Sequence, residues 1–414
     1  MATRGGGAAG RYEITMASTF GLEEELQVVG PGGALSRHDL DTPEAAPPVR
    51  HGTTSCELHR CALEVQTPVC TSVDALVRKL GLLRAHARAR ARRRGLDVLA
   101  AGLHPFSSWL TQSIRQDPDA YPHYARLVGE YADVARGAMS FGLHLHLGLA
   151  DRALRMPVMN RLRAVLPELL ALSASAPFFE GRDTGLQSWR HSLLDRYPRM
   201  GMPEPWEDEE RYFAHVRRLR QLGILSPDQG LWEDMRIHHR YGTLEVRICD
   251  ATPSLDRVWL IAALLVCEAD TLETELRGGI APAVLSRACL DENRWRARRH
   301  GLDATWIDWQ RDELVDTPTR FRRWLERLAP AAARRGFLPR LAAALDEALR
   351  AGTSADMQRR VFSDCGQDFP ALVRHLVAET ARPCTVEARA RKQVKVSEAV
   401  SEAENEGESE GVPA

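Results

Sequence analysis

The sequence predicts an α+β protein, and three observations carry the prediction. Four short runs, starting at Phe20, Leu63, Phe141 and Thr243, alternate apolar with charged or polar residues at the two-residue period of a half-buried strand. Helical runs fall between them without a repeated strand–helix unit or any internal repeat, which argues against a doubly wound parallel sheet. From Leu255 to Thr380 the pattern is almost wholly helical, punctuated near Gly278, Pro318 and Gly352.

Taken in order, residues 1–17 are Gly/Ala-rich and are expected to be a mobile segment. The catalytic or binding domain is expected over 18–382. In GLEEELQVV, Phe20, Leu22, Leu26 and Val28 share one face with Glu24, while Gly21, Glu23, Glu25 and Gln27 share the other. In CELHRCALEVQTPVC the second half sets Leu63 and Val65 against Glu64 and Gln66. Val73 to Leu83 has a helical apolar pattern, and the basic run from Arg84 to Arg94 reads as its solvated end. FGLHLHLGL alternates without a break, with Leu143, Leu145, Leu147 and Leu149 opposite Gly142, His144, His146 and Gly148. GTLEVRICD sets Leu244, Val246 and Ile248 against Thr243, Glu245, Arg247 and Cys249. The longest apolar run, Val258 to Cys267, is shorter than the roughly 18 residues of a membrane span and reads as a buried helix. Residues 383–414 turn acidic and poor in apolar groups, the composition of a disordered tail.

Composition excludes several function classes. Among 414 residues, 55 Lys and Arg balance 56 Asp and Glu, so no basic excess exists to neutralise nucleic-acid phosphates. The N-terminal stretch lacks the apolar centre of a secretory signal, and the cytoplasm is the expected compartment. The eight cysteines show no C-x-x-C pair and read as thiols. Lysine occurs only at 79, 392 and 395, so a phosphate-loop lysine or a Schiff base has almost no candidate. Any phosphate handled by this chain must be met by arginine, metal or backbone.

A solvated sheet face would mix Thr, Lys, Arg, Gln and Ser. These polar faces instead gather Glu23, Glu25, Glu64, Glu245, His144 and His146 with a single arginine and no lysine. If they line one cleft, the carboxylates repel one another unless a cation sits among them. An oxygen-rich set with an imidazole suits Mg²⁺ or Mn²⁺ better than structural zinc. Glu23 and Glu25 thus read as metal ligands on a rigid strand, and Glu24 as a residue of the reverse face.

GLEEELQVV, ELHRCALEVQTPVC, AGLHPF, FGLHLHLGL, LSASAPFFEGRDTGLQSWR, RYGTLEVRICD and ENRWRARRHGLD, in this order, resemble the carboxylate–amine ligases of the type 2 glutamate–cysteine ligase family, over roughly residues 18 to 380. The resemblance implies a glutamine synthetase-like fold: a curved, mainly antiparallel half-barrel with helices on its convex side and a concave face that binds nucleotide and divalent metal. It implies that ATP phosphorylates a carboxylate, typically the γ-carboxylate of glutamate, and that an amine such as cysteine then attacks the acyl phosphate. By the same resemblance Glu23, Glu25, Glu57 and Glu64 are metal ligands, His144 lies on the metal or phosphate side, Glu245 holds the metal bridging the ATP phosphates, and Arg247 contacts the transferring phosphoryl group. A seven-residue offset puts Glu57 and Glu64 on opposite faces of an unbroken strand, so a bulge or loop is required between them. His146 and Arg190 are further candidates for substrate or nucleotide contacts, against readings as polar filler and as a surface salt bridge. His104 is expected to be structural, and Arg294 and Arg296 to lie on a solvated helix face. A homodimer is expected by analogy. Two other readings stay open: a metal-dependent hydrolase using the same acidic cleft, and a catalytically silent nucleotide or metabolite sensor.

Overall fold

Strict alternation in the first run produces an 11-residue strand, β1 (Thr19–Val29), whose even-numbered positions are buried through its first two-thirds. In the computed structural model, which describes residues 19–40, 51–226 and 229–385, β1 is the spine of the main sheet. The N-terminal segment expected to be mobile and the acidic tail from residue 386 lie outside the described residues.

The other strands of that sheet are β2 (Thr53–Cys56), β3 (Ala62–Gln66), β4 (Asp97–Leu99), β5 (Gly142–Gly148), β8 (Met235–Ile237) and β9 (Leu244–Asp250). Two small hairpins, β6 (Phe178–Phe179) with β7 (Arg182–Asp183) and β10 (Thr305–Asp308) with β11 (Glu313–Asp316), stand apart from it. The strand order is β2-β3-β1-β5-β9-β8, with β4 also on β1, and every named pair is antiparallel. With one sheet and separate helices, the architecture is α+β as the sequence predicts.

Helices α1 (Val73–Arg92), α2 (Pro122–Arg136), α3 (Arg155–Leu162), α4 (Leu166–Ser173), α5 (Arg190–Leu194) and α6 (Glu209–Gln221) lie between the strands in sequence. They are followed by α7 (Leu255–Arg277), α8 (Arg287–His300), α9 (Thr317–Arg334), α10 (Leu338–Ala351), α11 (Ser354–Asp364) and α12 (Phe369–Thr380). The apolar face of the sheet packs on α1 and α4, and α7 runs behind them, flanked by α1, α3, α4, α9 and α10. That position explains why α7 is buried on all sides from Val258 to Glu273, the expected fate of its apolar run. Its start is fixed by Ser254, whose side chain accepts from the Arg257 amide.

Three expectations are corrected by packing. Arg84 is not at a solvated helix end: it is 3% exposed and forks onto both carboxylate oxygens of Glu24, at 2.7 and 2.5 Å. The basic run is therefore split, since Arg88 and Arg92 meet Asp97 while Arg84 neutralises the acid on the reverse face of β1. Arg294 is also buried, held by Asp234 and Asp195. Gln27, which parity puts on the charged face, lies where β4 pairs with β1, and its amide donates to the Ala101 carbonyl at 2.7 Å. His104 fulfils its structural reading: it is buried, with Nε2 2.9 Å from the Gly33 carbonyl and Nδ1 accepting from the Ser107 amide.

Candidate active site

Antiparallel register turns the parity of single strands into rows across the sheet. Glu23 is opposite Gln66 on β3 and His144 on β5. Glu25 is opposite Glu64, which is opposite Ser55 on β2. His146 is opposite Gly21 on one side and Glu245 on the other, and Glu245 is opposite Arg236 on β8. The structure thus brings together Glu23, Glu25, Glu64, His144, His146, Glu245 and Arg247 on one face. Glu57 joins them because β2 ends at Cys56, so the residues between Glu57 and β3 form the required loop. The Tyr124 hydroxyl lies 3.5 Å from its Oε2.

The electrostatics divide the carboxylates into two kinds. Burial alone would raise Glu23, but His144 and His146, at 3.6 and 3.5 Å, outweigh it and hold its carboxyl far below the usual range. Burial likewise opposes ionisation of Glu245, and Arg247 and Arg236 overcome it. Arg236 forks onto Glu245 at 2.6 and 3.1 Å, and Arg247 donates to Oε1 of the same carboxylate. Glu57 and Glu64 behave oppositely. Burial, then the charges of Glu25 and Glu23, push Glu57 up to about 8. Burial, then Glu57, Glu23 and Glu25, push Glu64 far above its ordinary value, although Ser55 and Gln66 donate to it. Without a cation these two acids retain protons, and a cation beside them would favour their ionised form.

The residues fit a divalent metal on two counts. Ligand atoms of Glu23, His144 and Glu245, and of Glu25, Glu64 and His144, lie within 4.8 Å of one another in each group. His144 Nδ1 and His146 Nε2 are buried without a hydrogen-bond partner; their contacts to Glu23, at 3.6 and 3.5 Å, lack hydrogen-bond geometry. The other nitrogen of His146 is fixed by Thr243 Oγ1 at 2.8 Å. His144 stands between the two groups and belongs to both.

Arg190, the first residue of α5, is 4% exposed, so it is neither on a surface nor in a surface salt bridge. Its Nε and Nη1 are buried without hydrogen-bond partners, and Nη1 forms a buried ion pair with Asp250 at 3.8 Å. It lies against Gly142: a Cβ there would come within 2.4 Å of Arg190 Nη2 and 3.0 Å of His144 Nε2. The missing side chain leaves room for the guanidinium beside His144. Arg296 stays off the site and donates to the Thr305 carbonyl.

Two residues of this face are absent from the sequence reading. Arg236 sits in a three-residue strand, too short for periodicity to register, although Met235 and Ile237 on either side of it are buried. Asp250 replaces Cys249. The register between β5 and β9 shifts between Leu143 and Leu145, inserting a bulge into β9. Past the bulge, parity reverses: Cys249 turns to the Leu169 carbonyl of α4, and Asp250 accepts from the Ser175 amide and the Ser188 hydroxyl. Burial raises Asp250 to about 6 against the pull of Arg190.

A cavity of about 630 Å³ adjoins the acidic face. Glu25, Glu57, Arg236 and Arg247 form its sheet-side wall, α2 with the segments before α6 and β8 forms the far wall, and Leu58, His59, Phe141 and His238 are also in its lining. Among the described residues, no helix is long and apolar enough to cross a membrane.

The sequence profile of glutamate-cysteine ligase family 2 matches residues 19–405. A Herpetosiphon aurantiacus protein with the provisional name glutamate–cysteine ligase 2 is 33% identical over 368 residues, covering 87% of this chain and 93% of its own. A Rhodospirillum rubrum protein with the same provisional name is 34% identical, covering 90% of this chain and 98% of its own. Among solved structures, glutamate–cysteine ligase from Francisella tularensis in complex with AMP superposes with a TM-score of 0.66 at 11% identity, over 97% of this chain and 96% of its own. A bifunctional glutathione synthetase from Pasteurella multocida gives 0.65 at 16% identity, over 88% of this chain and 52% of its own. Those two likenesses establish the glutamine synthetase-like fold.

Proposed function

This chain belongs to glutamate-cysteine ligase family 2, and on that premise we propose that it is an ATP-dependent carboxylate–amine ligase that activates the γ-carboxylate of glutamate. The observation that carries the reading is His144 shared by two acidic groups on one sheet face, with Arg247, Arg236 and Arg190 around them. Bringing an anionic carboxylate to a polyphosphate is chiefly a problem of neutralisation and alignment, and this face supplies both.

In the proposed reaction a glutamate γ-carboxylate oxygen attacks the γ-phosphorus of ATP, and the bond to the bridging oxygen breaks to release ADP. The amine nitrogen then attacks the acyl carbon, phosphate departs with the C–O electron pair, and the nitrogen loses a proton to give the amide. Glu23, His144 and Glu245 would hold one Mg²⁺ or Mn²⁺, and Glu25 and Glu64, with His144 on their side and Glu57 nearby, a second, supplying charge neutralisation at the phosphate oxygens. Arg247, kept cationic by Glu245, offers a planar two-pronged contact to the transferring phosphoryl group. Arg190, whose Nε and Nη1 lack a hydrogen-bond acceptor, would meet a further anionic oxygen. His146, oriented by Thr243, would take the proton from the amine.

The test is Mg²⁺-dependent ADP formation with glutamate, with and without an amine, in wild type and Glu245→Gln. Amine-stimulated release that collapses in the variant supports the ligase. Bond cleavage that needs metal but no ATP would support the hydrolase instead, and ATP binding with no turnover the sensor; family membership favours neither. The cytoplasmic location and the homodimer are part of the same proposal, the latter open to sedimentation equilibrium.

A further inference from the structure

Resting on the ligase reading, we propose that the cavity beside Glu25 and Glu57 is the acceptor pocket, and that it selects a primary amine carrying an aromatic or similarly bulky apolar body rather than cysteine. The far wall is built from Tyr124, Leu127 and Tyr131 of α2 with Tyr197, Met200 and Trp232. Tyr131, Tyr197 and Trp232 pack edge to face around one another, with ring centroids 5.3, 5.7 and 5.4 Å apart. These residues form an apolar cluster separate from the main core, so their rings serve this cavity and not the sheet packing.

Position and polarity decide among the occupants. Glutamate carries two carboxylates beside its ammonium, and burying its chain among the rings of the far wall would take those carboxylates out of water, whereas Arg236 and Arg247 stand on the sheet side of the cavity. Of the ligand group assigned to the polyphosphate, Glu23, His144 and Glu245, none lines the cavity, whereas Glu25 and Glu57 do. The cavity therefore opens beside Glu25 and Glu57 and next to Arg247, the proposed contact to the transferring phosphoryl group, where the acyl carbon would be presented to a nucleophile. Tyr124 marks the boundary: its ring belongs to the apolar wall while its hydroxyl donates to the Cys56 carbonyl at 2.9 Å and reaches Glu57. An amine entering there can place its nitrogen near the carboxylates and its body among the rings. Cysteine, with one CH₂ and a thiol, would leave most of about 630 Å³ without van der Waals partners.

The experiment compares acceptors in one ATP- and glutamate-dependent assay. Hydroxylamine, too small to use the rings, traps any acyl phosphate as the hydroxamate; ethylamine, cysteine, phenethylamine and tyramine report the pocket. The expected result is kcat/KM for phenethylamine or tyramine at least ~10-fold above ethylamine and cysteine. Trp232→Ala and the cavity-filling Leu127→Trp should each lower the ring-amine to hydroxylamine ratio by roughly 10–100-fold, mainly through the KM of the ring amine. Because a ratio is read, a partly unfolded preparation does not imitate the effect. Hydroxamate formation with cysteine or ethylamine preferred would overturn the pocket assignment and leave the ligase intact. A raised KM for ATP in Trp232→Ala with unchanged amine selectivity would also overturn it, assigning the rings to the nucleobase. No hydroxamate and no ADP with any acceptor would sink both.

Discussion

Removing the Arg84 guanidinium should destabilise the protein more than any exposed charge deletion. Glu24 is fully buried and Arg84 is 3% exposed. Beyond the two bonds to Glu24, Arg84 donates to the Pro253 carbonyl at 2.6 Å and the Thr252 carbonyl at 2.7 Å, just ahead of α7. Arg84→Met therefore leaves one buried carboxylate and two carbonyls without their donor. Breaking a buried pair from one side costs about 3–5 kcal/mol, because an uncompensated charge remains. With unfolding entropy of about 2.1 cal/mol/K per residue over 414 residues, that is a fall in Tm of ~3–6 °C. Glu24→Leu/Arg84→Met removes the stranded charge but still strands the carbonyls, so it should recover a large part of the loss and remain below wild type by about 1–3 kcal/mol. Urea unfolding at fixed pH, with the slope checked for constancy, reads all three. A single variant within about 1 kcal/mol of wild type, or a double variant no more stable than the single, would refute the claim that charge burial dominates this contact.

Three further outcomes follow from the site and its surroundings. Arg247→Lys keeps the charge but loses the fork shared between Glu245 and an incoming phosphoryl group, so kcat for ADP release should fall by roughly 10²–10³-fold; retention of wild-type kcat would remove Arg247 from that contact. Gly142→Ala would put a methyl against the flexible end of Arg190 and against His144, so kcat/KM should drop ~10-fold or more while Tm moves by no more than ~2 °C; equal losses in both would mean a folding defect. Burial, with help from Asp234, raises Glu233 to about 8 from 4.5 while Arg287 pulls the other way. Because the fold holds this proton more tightly than the unfolded chain, its contribution is complete below pH 4.5 and is lost as pH rises through about 8. Glu233→Gln should accordingly gain in Tm over wild type between pH 5 and pH 9, and a pH-independent difference would refute the assignment.

How much of the site was legible depends on the distance over which each residue is specified. Glu23, Glu25, Glu64, His144 and His146 follow from alternation, a property of each strand alone, and the structure puts them on one face. Glu57 could be found only by resemblance, since the loop that returns it is not a periodic signal. Cys249 was misplaced and Asp250 missed for one reason: a bulge in β9 reverses parity, and a bulge is set by how two strands pair. Arg236 escaped because β8 is three residues long. Arg84 looked solvated because its acid lies 60 residues away.

The sequence by itself determined the class of fold, the charged face of each strand and the near absence of lysine from any phosphate chemistry. These are local: period, composition and residue type act within a few positions. The tertiary structure decided that the four faces are one face, that His144 serves two acidic groups, that Arg190 is buried beside it and that α2 closes an aromatic cavity next to Glu57. Those facts depend on register and on packing between segments far apart in the chain, where neighbours are chosen by the balance of burial and pairing, which no single stretch of the sequence displays.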